Sequence, residues 1–338
     1  MTYGEIIRKN CQNIQPSWWP RYAYHFTDVT NIVSILKSGK LYSRVQANQK
    51  GIMENDNASR QVIDMTETRA TAYARFYFRP LTPTQYYNEG YKHRQIRYAG
   101  DENANVPVPI FLAFDLEQVL LTPGVVFSEQ SQAGHGSPLF SGVEAFSNLP
   151  FDKIYSDGAC NDEVRKYRHA EILCPDFYPI EDSLRMILCR NECEKATLLN
   201  MLSVEDQVAY FRYKGFVRVA REDTFLRNGL YIESIVCHDR MISFEFSSTP
   251  KKREFERKYS QGSLSELTAA FLFQWLSKKG EVLYSAIREI RIDYTNPDRI
   301  TFSNLPEISR ASTLRITLRI EDKIICVSKQ PISSYELI

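Results

Sequence analysis

Three stretches of this chain hold residue types that suit chemistry. The first is YAYHFTDVTNIVSILKSGKL, residues 22–41, in which His25 and Thr27 stand two apart before a helical pattern. Residues i and i+2 of a strand project to one face, so this pair would present a ring nitrogen and a hydroxyl together, with Asn31 one helical turn further on. Taken alone, the pattern is equally that of a histidine satisfied by a backbone carbonyl beside an ordinary helix cap. The second is RHAEILCP, where Glu171 shares a strand face with His169 and Leu173 while Arg168, Ala170 and Ile172 take the other. A carboxylate among aliphatic residues is costly to bury unless paired, and Arg165 or Arg168 would be the structural partner. The third runs from Arg60 to Arg97 and holds seven Lys/Arg against three Asp/Glu, a local excess of +4, with seven aromatic rings. Basic charge attracts phosphates and aromatic faces stack on unpaired bases. A core strand with arginines reaching outward has the same composition.

The elements that must position these residues are partly readable. Asp28 or Thr30 can cap a first helix, Ile32, Val33, Ile35 and Leu36 supply its apolar stripe, and Gly39 stands where it would end. Residues 46–60 read as a polar loop. Residues 69–79 begin helix-like and end as an aromatic strand, stopped by Pro80 and Pro83. PIFLAFDL, 109–116, is a buried-strand signal, FDKIYS (151–156) and YRHAEILCP (167–175) are further strand candidates, and 183–202 reads as an amphipathic helix. Residues 128–148 hold Gly, Ser and Pro among few aliphatics, the texture of a long functional loop. Beyond about residue 205, five segments alternate apolar and polar residues as half-exposed antiparallel strands do. SLSELTAAFLFQWLSKKG (263–280) reads as a helix among them, and KKREFERK (251–258) as a solvated linker or turn.

Bulk properties narrow the classes. The chain has 338 residues, 43% hydrophobic and 25% charged, with a formal net charge of +1. This is a globular composition with no overall basic excess, so nucleic-acid binding must come from a local patch. No run is long enough for a membrane helix, and the N-terminus lacks a signal-peptide core. Seven scattered cysteines read as reduced thiols in a cytoplasm. Cys189 and Cys193 are best read as one helical turn apart, and no metal is expected because no His/Cys pair follows at zinc spacing. A Rossmann glycine fingerprint, a P-loop, H-E-x-x-H and G-x-S-x-G are all missing.

Four stretches together resemble the DarT family of DNA ADP-ribosyltransferase toxins: YHFTDVTNIVSILKSGKL, SRQVID followed by YARFYFRPLTPTQYYNEG, PIFLAFDL, and FDKIYSDG with RKYRHAEILCP. The resemblance covers residues 20–205. It implies an ADP-ribosyltransferase split β-sheet of the PARP type over 1–205; with the alternating segments beyond it read as an appended, mainly antiparallel β domain over 206–338, the expected fold class is α+β. The resemblance implies NAD as substrate, single-stranded DNA as target, and an antitoxin partner of macrodomain or NADAR type. The family's H-x-T falls on His25 and Thr27, which would hold NAD with Asn31 nearby; its catalytic glutamate falls on Glu171 and its essential arginine on Arg60. Tyr77 and Phe78 would wall the nicotinamide pocket, and Arg79, Tyr86, Arg94 and Arg97 would contact DNA. Some relatives carry Met-Leu-Tyr where this chain has Thr84-Gln85-Tyr86, which favours guanine over thymine as the modified base. The chemistry suits these residue types. Cleaving the nicotinamide–ribose bond passes through an oxocarbenium-like state that a carboxylate stabilises, and a base inside a duplex is out of reach. An RNA- or protein-directed transferase and a non-catalytic single-strand-binding module stay open as alternatives.

Overall fold

A computed structural model describes residues 1–52, 70–101, 104–132, 137–238 and 240–332. Strand β1 (Tyr22–Asp28) runs straight into the helix Val29–Ser38. The Asp28 carboxylate accepts the Thr30 N–H at 3.1 Å and the Val108 N–H at 3.2 Å, so one side chain caps the helix and pins the entry to the next core strand. Gly39 ends the helix at φ +65°, the left-handed conformation a glycine adopts at no steric cost.

The other strands of this half are β2 (Lys40–Tyr42), β3 (Tyr73–Tyr77), β4 (Pro109–Asp115), β5 (Val126–Phe127), β6 (Glu171–Pro175), β7 (Phe177–Pro179), β8 (Leu184–Cys189) and β9 (Val217–Val219). Six of them join β1 in one sheet, in the order β5-β6-β3-β1-β4-β8-β9, and β2 pairs with β7 in a separate ribbon. β1 and β4 stay in register from Tyr22↔Asp115 to Asp28↔Pro109, whereas β1 and β3 share only the pair Tyr24↔Tyr77. The sheet therefore splits between β1 and β3. Ala74, Phe76, Ile110, Leu112, Phe114, Ile172 and Cys174 pack one face of it into the main core, against Ile32 and Leu36 of the helix.

The C-terminal part holds β10 (Ile232–His238), β11 (Met241–Phe246), β12 (Leu267–Ser277), β13 (Val282–Ile292), β14 (Ile300–Phe302), β15 (Ala311–Ile320) and β16 (Lys323–Pro331). They form a three-stranded sheet β10-β11-β14 and a four-stranded sheet β13-β12-β15-β16, antiparallel throughout. Phe244, Phe271, Phe273 and Leu318 belong to the second core, built from residues of both sheets.

Four local expectations are overturned. LTAAFLFQWLS is strand β12, because Leu267, Ala269, Phe271, Phe273 and Trp275 bury at alternate positions; the period of two outweighs the helix propensity of its Leu and Ala. Residues 183–202 divide into strand β8 and the helix Glu192–Glu205, whose cap Asn191 accepts the Glu194 N–H at 2.9 Å, so Cys189 and Cys193 lie on different elements. FDKIYS forms a one-turn helix, Phe151–Ile154, rather than a strand. KKREFERK lies in the helix Pro250–Tyr259, capped by Thr249, with Phe255 and the Lys252 side chain buried.

The first sheet takes its last strand from Val217–Val219, beyond the boundary expected at 205. The second core also takes Tyr91 and Ile96 from the N-terminal half. The crossing is made by the NEG of the motif. Buried Glu89 accepts the N–H groups of Leu226 and Arg227 at 2.7 and 2.6 Å, and Arg190 is ion-paired to both Glu89 and Glu194. At the crossing a Cβ on Gly229 would lie 2.5 Å from the Glu89 carbonyl oxygen and 2.8 Å from the Gly90 backbone. Backbone cannot rotate aside as a side chain can. Gly229→Ala is therefore expected to destabilise by roughly 2 kcal/mol or more, seen as a lowered denaturation midpoint; a wild-type midpoint would contradict the close approach.

Candidate active site

β3 reads Tyr73, Arg75, Tyr77 on one face and Ala74, Phe76 on the other, the second pair sinking into the core. Its register with β6 sets Tyr77 directly opposite Glu171 and Arg75 opposite Leu173. Cross-strand partners share a face, so the phenol, the guanidinium and the carboxylate converge. Arg75 Nη1 lies 3.6 Å from Glu171 Oε2. The ion partner of Glu171 is thus Arg75, not the expected Arg165, which pairs with Asp162, or Arg168, whose Nε donates to Ser156.

Glu171 is 2% exposed. Its Oε1 accepts from Ser131 Oγ at 3.3 Å, and the Gln132 N–H also bonds the carboxylate. Oε2 has no hydrogen-bond partner among the described residues. Burial raises the Glu171 pKa above the usual carboxylate value, and Arg75, Gln132 and Ser131 act against that rise. Burial, and then the nearby Glu171 charge, push the Tyr77 phenol up to about 12; its hydroxyl is hydrogen-bonded to the Thr84 side chain. The segment from Phe127 is pinned at its base, where Phe127 and Phe140 exchange backbone hydrogen bonds of 2.9 and 2.8 Å. Ser131 and Gln132, on that segment, are the residues that reach Glu171.

Across the split, His25 Nδ1 lies 3.0 Å from the Arg75 carbonyl oxygen. A carbonyl only accepts, so Nδ1 carries the proton and Nε2 is an acceptor. Burial lowers the His25 pKa to about 4, so the ring is neutral at pH 7. Asn31 Nδ2 donates to Thr27 Oγ at 2.9 Å, joining Thr27 to the first helix. One residue, Arg75, thus touches both halves of the expected constellation, its carbonyl at His25 and its guanidinium at Glu171. In the sequence Arg75 stands out only as one member of a basic strip. The signal that could have found it is its i−2 spacing from Tyr77 on a strand with alternating burial.

Other expected site residues are placed differently. Phe78 is fully buried in the main core, where its ring lies 6.3 Å from that of Phe146. Arg79 is 1% exposed; its Nε donates to Pro80 O at 2.8 Å, its Nη1 to the Ile154 and Ser156 carbonyls, and it stacks on Trp19. It clamps the end of the Phe151–Ile154 helix and is not available to DNA. Arg97, also buried, donates to Lys92 O and pairs with Glu321 at 2.9 Å, tying the two halves together. Lys92 is buried against Asn228. Burial of these cations dissolves the expected basic strip and leaves Arg94 as its exposed member between Arg79 and Arg97. Tyr86 is half-buried against Phe255, its ring centroid 5.3 Å away, at the junction of the halves. Arg60 lies outside the described residues. Among the described residues no group of His, Cys, Asp and Glu could hold a metal, and no helix is long and apolar enough to cross a membrane.

A family model described as ssDNA thymidine ADP-ribosyltransferase, DarT, matches residues 24–215. Among solved structures, Thermus sp. 2.9 DarT in complex with carba-NAD+ is 20% identical, with a TM-score of 0.45 over 61% of this chain and 98% of that one. The same protein in complex with ADP-ribosylated ssDNA is 19% identical, with a TM-score of 0.46 over 61% and 96%. Thermosipho africanus DarTG in complex with ADP-ribose is 13% identical, with a TM-score of 0.44 over 54% and 47%. No curated protein matches the sequence. The match of the family model over more than half of the chain, across the stretch that carries β1, β3 and β6, establishes that this protein belongs to the DarT family of single-stranded-DNA ADP-ribosyltransferases.

Proposed function

We propose that this protein transfers ADP-ribose from NAD to a base of single-stranded DNA, with Glu171 as the catalytic carboxylate. The observation that carries the reading is the state of Glu171: a buried acid held by Arg75, with one oxygen lacking a hydrogen-bond partner among the described residues, beside the split in the sheet. In the reaction the C1′–nicotinamide bond breaks and nicotinamide leaves with the electron pair. The ionised Glu171 stabilises the positive charge at C1′. A base nitrogen then bonds to C1′, and its proton passes to the same carboxylate. His25 Nε2 is the acceptor for a ribose hydroxyl, Thr27 and Asn31 hold the nicotinamide end, and Tyr77 walls it. Arg60, assigned by resemblance alone, would screen the diphosphate or orient the base.

For the base we favour guanine ahead of thymine, on Thr84-Gln85-Tyr86 in place of Met-Leu-Tyr. Gln85 is fully buried and bonds Glu89 and the Leu81 N–H, so of the two departures only Thr84, bonded to Tyr77, can bear on the base. The deciding experiment is mass spectrometry of oligonucleotides lacking either guanine or thymine after incubation with NAD. Modification confined to guanine-containing strands is expected. Product on thymine alone overturns the base assignment, and product on RNA or protein but never on DNA overturns the whole reading. An antitoxin that removes the ADP-ribose, of macrodomain or NADAR type, is the partner such an activity calls for in a cytoplasm.

A further inference from the structure

The C-terminal half meets the catalytic half at a cluster of tyrosines that the reaction above does not use. The Tyr87 ring centroid lies 4.6 Å from Tyr98, 5.2 Å from Tyr86 and 6.1 Å from Tyr259. Phe255 beneath them is buried, but all four tyrosines keep part of their surface in water. Exposed Lys258 holds its Nζ 5.7 Å from the Tyr86 centroid and 5.3 Å from that of Tyr259. Arg165 is near enough for its charge to act on Tyr87, and Glu254 is an acid whose charge reaches Tyr86.

This cluster is continuous with the candidate active site. The helix Pro83–Asn88 connects them: Thr84 at its start bonds Tyr77, which stands across from Glu171, and Tyr86 and Tyr87 lie near its end. Six residues of helix span only about 9 Å. Arg165 lies on the helix Asp162–Tyr167 that precedes the Glu171 strand.

Resting on the reading of the site as DNA-modifying, we propose that the C-terminal half completes the single-strand groove. Tyr87, Tyr98 and Tyr259 stack nucleotides flanking the target base, while Lys258 and Arg165 neutralise their phosphates. Aromatic faces with cations at the rim suit unpaired bases without reading their identity, and the helix Pro250–Tyr259 is the element that brings Lys258 and Tyr259 to the patch. Of the five described cations in the expected basic strip, Arg79, Lys92 and Arg97 are buried, whereas Lys258 at the seam between the halves is exposed.

The test is a charge reversal on an exposed side chain, Lys258→Glu, with Lys279→Glu in the β12–β13 turn as a control of equal charge change. A short labelled single strand is used for both anisotropy and transfer kinetics. Lys258→Glu should raise Kd and the KM for the strand roughly tenfold at low salt and reduce the slope of log K against log salt by about 0.7 or more; Lys279→Glu should match wild type. Tyr259→Ala should weaken binding by roughly fivefold or more through the lost stack. Lys258→Glu indistinguishable from Lys279→Glu in both Kd and salt slope overturns the inference, as it must if the patch instead receives a protein. Wild-type transfer separates the two ideas. An inert wild type removes the DNA-modifying reading, whereas an active wild type with unaffected variants removes this inference alone.

Discussion

Glu171→Gln is expected to reduce ADP-ribosyl transfer by roughly 10³-fold or more while the fold and NAD binding survive. The change is nearly isosteric, and the oxygen that accepts from Ser131 is kept. What is lost is the negative charge. A neutral amide cannot stabilise the cation that forms at C1′, nor take a proton from the incoming base. Single-turnover transfer to a labelled oligonucleotide measures the loss, and near-UV circular dichroism checks the packing. Transfer within tenfold of wild type would sink the assignment, since a purely structural glutamate replaced by its amide costs stability and not the chemical step.

Arg75→Gln is expected to cost roughly 10²-fold in kcat/KM near neutral pH and to move the acid limb of the pH profile upward. Glu171 must be ionised to act, so activity falls as pH drops through its folded pKa. Burial has already raised that pKa, and Arg75 is the foremost group acting against the rise. Removing the guanidinium leaves an uncompensated buried carboxylate, which protonates more readily. The variant should therefore regain part of its activity at higher pH, and Arg75→Lys should retain more of it because the charge remains. An Arg75→Gln profile with the wild-type acid limb, merely scaled down, would mean that the residue only supports packing. The measurement also bears on His25, since the Arg75 carbonyl that orients its ring belongs to the backbone and persists in either variant.

Much of the framework was legible because it is written locally. The helix after β1 could be read from Asp28, its apolar stripe and Gly39, since a cap and a left-handed terminus are properties of a few adjacent residues. The buried strand PIFLAFDL was legible as a continuous apolar run, and the pairing of His25 with Thr27 and the lone acid Glu171 were visible as residue types in strands. The motif match extends that legibility to the family.

Burial and long-range register were not legible in the same way. Phe78, Arg79 and Arg97 carry the residue types of a stacking, phosphate-binding strip, yet their side chains close inward on Phe146, on backbone carbonyls and on Glu321. LTAAFLFQWLS has helix-forming residues and folds as a strand because its neighbours in the sheet reward alternation. The partner of Glu171 depended on which arginine the β3–β6 register would set beside it. Arg165 and Arg168 were nearer along the chain, but Arg75, roughly a hundred residues away, was nearer in space, because strand pairing joins segments by shape and hydrogen bonding rather than by distance along the backbone. Composition and spacing thus settled which residues were able to do chemistry here, and the pairing of distant strands settled which of them meet.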